Sequence, residues 1–441
     1  LYQFTAIYHL LDKRPQIQGE LDHHRAPLGQ CLGAFSRAFP IAFLEPDFNL
    51  NNRCSVLAKM EESSVQAQEM LQTLTENIPQ LEKLLNTIET NTLNGMKYSD
   101  HPQVFDVDIP MTASYVTYWW QFGPDGPKQP ENQDRPLTQV STEHINTLFK
   151  AVLYLINDHI GVSTCSWLAR VASYILQTIP LVTYDPVSDH MLPIAVKLRE
   201  RTVAAQKEEL YVYAHPDDAD EGGVAELHAM LVRDIYAFLT IVIKYTDLHR
   251  AHWLKHPNSD IDAVYENTAV IFKIWSNSQH FKREELNFKS QFEEESGSDM
   301  KTGKAAIAER KKRRREGRGK EDIQHSSVIV ACFKRLLPVG LNVFGGRELE
   351  IVHNSKEKYL NKENEDKIRE FIRQMLNIPE KCDPTDKNTW QRNLYEKIGK
   401  RQMRGIDQMS PDDVITKIAN MGEVLSILHM VSYYKILTLH R

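Results

Sequence analysis

The chain has 441 residues, 41% hydrophobic and 25% charged, with a net charge of −6 from 53 basic and 59 acidic side chains. That length suits two or three domains or one extended repeat array. The near balance of charge excludes a global bias toward nucleic acid or anionic lipid.

Five cysteines, Cys31, Cys54, Cys165, Cys332 and Cys382, lie far apart with no CxxC pair. This favours free thiols in a reducing compartment over a disulfide framework or a zinc knuckle. No apolar run reaches the roughly eighteen residues of a membrane span; windows such as Ile235 to Ile243 are short and interrupted. The chain by itself is therefore expected to be soluble, with no span of its own.

Pro40 and Pro46 bracket a short turn around AFLEP (Ala42 to Pro46), and NRCSV (Asn52 to Val56) follows. VFDVDI (Val104 to Ile109) is the best candidate for a strand, though a short one. Tyr115, Tyr118, Trp119, Trp120 and Phe122 then crowd together before the loop GPDGPKQP (Gly123 to Pro130). Such a cluster can be a partner hot spot, but at a helix end it reads first as core. After caps at Ser141 and Thr142, the residues Ile145, Leu148, Phe149, Val152, Leu155, Ile156 and Ile160 fall at helical spacing and make one apolar stripe.

An acidic loop, YAHPDDADEGG (Tyr213 to Gly223), comes next. Its Asp217, Asp218, Asp220 and Glu221 match a calcium loop in charge only, since the alternating ligands, the central glycine and the closing glutamate of an EF-hand are absent. In HRAHWLKH, His249, His252 and His256 would lie along one side of a helix. Arg250 stands where a zinc protease needs glutamate, and Lys255 adds a second cation, so a surface helix end is the expected reading. The pair His23 and His24 beside Asp22 has no nucleophile placed by sequence and reads as a solvated loop entry. A further helix begins after Asp260, with Ile261, Val264, Thr268, Ile271, Phe272 and Trp275 on one face.

FKREELNF (Phe281 to Phe288) leads into a charged insert, acidic at Glu293, Glu294, Glu295 and Asp299, then basic, with ten Lys or Arg against two Glu between Lys301 and Lys320. This composition cannot bury enough apolar surface to fold alone, and 291–325 is expected to be a disordered linker. Its RKKRRR tract (Arg310 to Arg315) has no interleaved aromatics, so no nucleic-acid partner is expected. GRGKED (Gly317 to Asp322) lacks the spacing of a phosphate-binding loop. Past the insert, SSVIVACFKRLLPVGLN (Ser326 to Asn342) forms an apolar helix. Val328, Ile329, Cys332, Phe333, Leu336 and Leu337 make its core face, Lys334 and Arg335 lie opposite, and Pro338 with Gly340 ends it. Ser410, Pro411, Asp412 and Asp413 combine cap, first-turn proline and dipole-matched carboxylates in a strong helix start.

The pattern is all-α. Four segments follow from it: 1–135 and 136–290 helical, 291–325 the charged linker, 326–441 helical. Catalytic, cofactor-binding and metal-binding residues are all expected to be absent, and no enzyme motif stands in a usable frame.

The strings AFLEP, NRCSV, DVDIPM with YWW (Asp106 to Met111, Tyr118 to Trp120), RAHWL (Arg250 to Leu254), FKREELNF and LLPVGLN (Leu336 to Asn342) occur together, in order, over most of the chain from Pro27 to Val431. In that order and approximate spacing they resemble the ryanodine receptors, the intracellular calcium-release channels, in the cytosolic helical region before the pore. The resemblance implies an irregular α-solenoid of stacked helical hairpins; from the pattern alone a globular multi-helix domain stays open, because no strict repeat period is present.

The resemblance also implies a scaffold role without catalysis, and partners that are other domains of the same subunit and neighbouring subunits of a homotetramer. The expected location is the cytosolic side of the sarcoplasmic or endoplasmic reticulum membrane. In the family a basic, Trp-containing calmodulin helix follows the region matching Asn420 to Leu428. Here the chain continues as SYYKILTLHR (Ser432 to Arg441), so the calmodulin site is expected just beyond it, and a chain that starts at Leu1 is expected to be part of a longer reading frame. A free-standing helical-repeat adaptor is the alternative reading.

Overall fold

The computed structural model describes residues 24–38, 80–127, 136–215, 221–297, 327–376 and 411–439, with isolated residues between 45 and 72. NRCSV, the residues 216–220, the basic tract, GRGKED, His23, Cys54, Cys382 and Ser410 lie outside the described residues. Every regular element among the described residues is helical and none is a strand. The chain divides into two units: the first takes the residues up to Lys197 and Met230–Leu248, the second Leu198–Ala229, His249–Glu295 and those from 327 onward.

In the first unit, α1 (Arg25–Ala38) packs on a π-helical turn (Val104–Asp108) and on α3 (Ile109–Trp119). Helix α2 (Leu81–Leu93) packs on α4 (Thr142–His159), and α5 (Leu168–Tyr174) contacts both α3 and α4. The stripe expected from Ile145 to Ile160 is buried along its whole length. Helix α4 starts with a capping box in which His144 replaces the usual glutamate: its Nδ1 accepts the Ser141 N–H at 3.0 Å. Nε2 must then carry the proton, and it donates to Glu82 of α2 at 2.7 Å.

The strand expected at Val104 to Ile109 is instead this π turn running directly into α3. The cause is Pro110, which has no N–H to give and whose ring would collide with the carbonyl four residues back, that of Asp106. Widening the turn relieves the collision. The same arrangement recurs where a π turn at Val187–Met191 precedes Leu192 and Pro193.

The space beside the Asp106 carbonyl is taken by Gly29 of α1. A Cβ at that glycine would stand 1.8 Å from the Asp106 oxygen, so the Gly29 Cα–H approaches a carbonyl that Pro110 leaves without its helical donor. We expect Gly29→Ala to destabilise the chain by about 1–3 kcal/mol through forced backbone displacement, although alanine gains about 1 kcal/mol of helix propensity. Chemical denaturation checks this; a neutral or stabilising result contradicts the close approach.

In the second unit, α8 (Ser259–Asn277) packs on α10 (Val328–Leu341) and on α13 (Pro411–Leu439), while α11 (Gly346–Leu360) and α12 (Glu365–Leu376) both pack on α13 and on each other. Asn258 caps α8 by accepting the Asp260 N–H at 2.8 Å, two residues ahead of the start read from the sequence. Gly422 of α13 lies against Ser355 of α11, a small-residue crossing that brings the two backbones close.

Three expectations are corrected here. Helix α10 continues through Pro338 and Gly340 to Leu341. Proline removes only the donor to the Lys334 carbonyl, and Lys334 is exposed. Within α13, Asp412–Val431 is long and apolar enough by composition to cross a membrane, with 56% of that window buried inside the protein. Its buried residues, including Val414, Ile415, Ile418 and Val424, are polar-interrupted, which is why no unbroken apolar run reveals it. Helix α9 (Gln279–Gly297) runs past Gln291, so the first residues assigned to the charged insert are helical.

Candidate functional site

The polar chemistry of the first unit gathers at two buried carboxylates. Glu45, from AFLEP, is 3% exposed. It accepts from the Tyr115 hydroxyl at 2.8 Å, the Thr138 hydroxyl at 2.5 Å and the Gln139 N–H at 2.9 Å. Burial outweighs these three donors and pushes its carboxyl up to about 7. Asp106, on the π turn, accepts from Tyr98 at 2.6 Å and from the Arg170 guanidinium at 2.7 Å. A third group closes the end of α4, where Asp234 accepts the Gly161 N–H at 2.8 Å and Arg233 donates to the Val162 carbonyl at 2.9 Å.

The aromatic cluster divides between core and surface. Tyr115 and Trp119 are buried, and Trp119 donates its indole N–H to the Ser36 carbonyl of α1 at 3.0 Å. Trp120 and Phe122 are half-buried, Trp120 donating to the Thr142 hydroxyl at 3.1 Å. Tyr118 is exposed, with Arg37 over its ring. The cluster thus serves mainly to dock α3 against its neighbours.

In the second unit, Trp275 donates to the fully buried Glu285 of FKREELNF at 2.6 Å. Glu348 near the start of α11 is 1% exposed, and burial, opposed by a backbone hydrogen bond at Gly345, pushes its carboxyl up to about 7. The histidines of HRAHWLKH do not converge: His249 lies beside Trp253, while the rings of His252 and His256 are 4.8 Å apart and exposed. Among the described residues no three metal-capable side chains come together. His24 and Glu221 are exposed. Cys31 is exposed, whereas Cys165 and Cys332 are buried, and burial pushes the Cys165 thiol up, away from nucleophilic use.

Sequence reading missed Glu45 and Glu348. A single acidic residue inside an apolar string, Glu45 in AFLEP, is the signal that could have flagged the first; Glu348, flanked by Arg347 and followed by Glu350, carries no such signal. No family model matches the chain.

Glu45 and Glu348 set an expected pH dependence. From pH 4.5, the ordinary value of the group, to about 7, the folded chain retains protons that the unfolded chain has released. Stability therefore falls as pH rises through this window, by about 1.4 kcal/mol per pH unit for each group, and levels off above it. The urea midpoint should be higher near pH 5 than near pH 8, and Glu45→Gln with Glu348→Gln should flatten the curve. A parent curve already flat over that range contradicts both buried acids.

Proposed function

We propose that the chain is a cytosolic scaffold segment of a ryanodine-receptor-type calcium-release channel, built as an irregular α-solenoid of stacked helical hairpins. It transmits conformational change toward the pore and contributes to calcium release from the sarcoplasmic or endoplasmic reticulum. Its partners are other domains of its own subunit and neighbouring subunits of a homotetramer, and none of its residues is catalytic. Tightly packed helical pairs suit such a role because their interfaces repack between discrete arrangements instead of stretching.

The observation that carries this reading is the order of the family strings along the chain. A second observation supports it: the strings supply packing junctions. Glu45 of AFLEP receives Tyr115 and Thr138, Asp106 of DVDIPM receives Tyr98 and Arg170, and Trp119 of YWW docks on α1. Trp253 of RAHWL is buried, and Glu285 of FKREELNF receives Trp275.

Sequencing the transcript on both sides tests the proposal. The expected result is a reading frame that continues past Arg441 into a basic calmodulin-binding helix and a six-span pore. A stop codon directly after Arg441, with no channel sequence downstream, overturns it in favour of a free-standing helical-repeat adaptor.

A further inference from the structure

Helix α2 ends in Asn94–Gly95, the one asparagine–glycine step in the sequence. A left-handed cap closes it. Gly95 sits at φ 72°, its N–H donates to the Thr92 carbonyl at 3.1 Å, and the Met96 N–H reaches back to the Asn91 carbonyl at 3.0 Å. Asn94 and Gly95 are both exposed, and a Cβ built on Gly95 would have nothing within 4 Å.

A side-chain amide and the backbone nitrogen that follows it are a pair of reacting groups. Once base has taken the proton from the Gly95 nitrogen, that nitrogen can attack Asn94 Cγ. The N–Cγ bond forms, the Cγ–Nδ2 bond breaks, and the amide nitrogen leaves as ammonia, taking up a proton from water. Water then opens the cyclic imide at one of its two carbonyls, giving aspartate or isoaspartate. Glycine is the follower that permits this, because it has no Cβ to shield the nitrogen or to restrict its turning.

The closed cap forbids the attack. With Asn94 at ψ 8° the Gly95 nitrogen eclipses the nitrogen of Asn94 itself and is turned away from Cβ, and its N–H is already donated. Little holds the cap shut, however. Leu93 is 61% exposed, so no side chain from Leu93 to Gly95 enters the core, and Met96, 4% exposed, is the anchor on the far side. A helix end of this kind opens far more often than the unit unfolds.

We propose that Asn94–Gly95 is a self-modification site, at which opening of the α2 cap lets the chain convert Asn94 to aspartate or isoaspartate with water as the co-reactant. The end of α11 supplies an internal comparison. Asn361 there has ψ 4°, Lys362 follows at φ 57°, and the N–H groups of Lys362 and Glu363 go to Tyr359 and Lys358. The cap is the same, but a lysine Cβ flanks the nitrogen. Helices α6 (Leu192–Ala214) and α7 (Glu221–Lys255) close on His215 and His256 and have no asparagine at that place to react.

Either product puts a carboxylate at the negative end of α2. Isoaspartate also inserts the Cβ methylene into the main chain, which breaks the register of the Met96 bond to Asn91. The same stretch carries Tyr98, the donor to Asp106. Modification therefore loosens both the end of α2 and the hold of Tyr98 on that buried carboxylate.

The test incubates the full chain at mildly alkaline pH in water enriched in heavy oxygen and maps its peptides over time by mass, with chromatographic separation of the two products. Asn94 should convert about tenfold faster than Asn361, since glycine leaves its nitrogen unshielded. It should yield both aspartate and isoaspartate and take up heavy oxygen from the water. Met96→Ala releases the anchor without touching the reacting groups and should speed conversion about threefold or more. If that variant does not fold, the same acceleration is read from the parent in urea below its unfolding midpoint. Asn94→Gln can close only a larger ring and should stay unmodified. Conversion of Asn94 no faster than that of Asn361, aspartate with no isoaspartate, or a rate that neither Met96→Ala nor mild urea raises would each overturn the proposal.

Discussion

Replacing Phe333 by alanine is expected to cost about 3–5 kcal/mol, the usual range for truncating a buried aromatic. The ring is fully buried and stacks parallel on Phe272, with centroids 4.6 Å apart and planes within 3°. Tyr265 covers it at 5.6 Å, and Phe272 in turn stacks on Trp275. Space beside Tyr265 is already committed, because a Cβ on Gly340 would stand 2.4 Å from that ring. Collapse of the neighbours into the cavity is thereby limited, so the upper half of the range is expected. Lys334→Ala, one residue on and exposed, should change stability by less than about 0.5 kcal/mol. Urea unfolding, with hydrogen exchange of α8 and α10 to assign the loss to this unit, makes the comparison. Equal small effects would mean that the aromatic stack does not organise the second unit.

Periodicity made much of this legible. The stripe from Ile145 to Ile160 and the α10 face through Val328, Ile329, Cys332, Phe333 and Leu336 were readable because each helix presents one apolar side to its neighbours. Leu337, expected on that face, is only half-buried. Failures came where a non-local contact overrode a local rule. The apolar and acidic alternation of VFDVDI mimics a strand, and only the downstream Pro110 and the distant Gly29 explain why it is a π turn. Pro338 was read as a stop because proline breaks isolated helices, yet α10 carries it with its core face already buried against α8. Glu45 was invisible as a hub since its donors come from Tyr115 and Thr138, 70 and 93 residues away. A carboxylate so placed has no spacing signature.

Asp106→Ala is the substitution expected to damage the first unit most, at about 3–5 kcal/mol, because it strands a charge instead of merely opening a cavity. Asp106 is 1% exposed, and its two oxygens are divided between Tyr98 and Arg170. Burial works against the Arg170 charge, yet the Asp106 carboxylate holds the guanidinium above its ordinary range. Burial together with the Asp106 hydrogen bond likewise pushes Tyr98 up to about 12. Removing the carboxylate leaves both donors without their acceptor beside the π turn, where Gly29 already approaches the same residue's carbonyl. Asp106→Asn keeps the shape and one acceptor but not the charge, so it should fall between alanine and the parent. The sharper measurement is a double-mutant cycle with Arg170→Met. Removing both charges abolishes the stranded guanidinium, so the double variant should be markedly more stable than the sum of the two single losses implies. Additive losses would show that Asp106 acts through Tyr98 and packing alone, and that the ion pair contributes nothing to holding α5 against the turn.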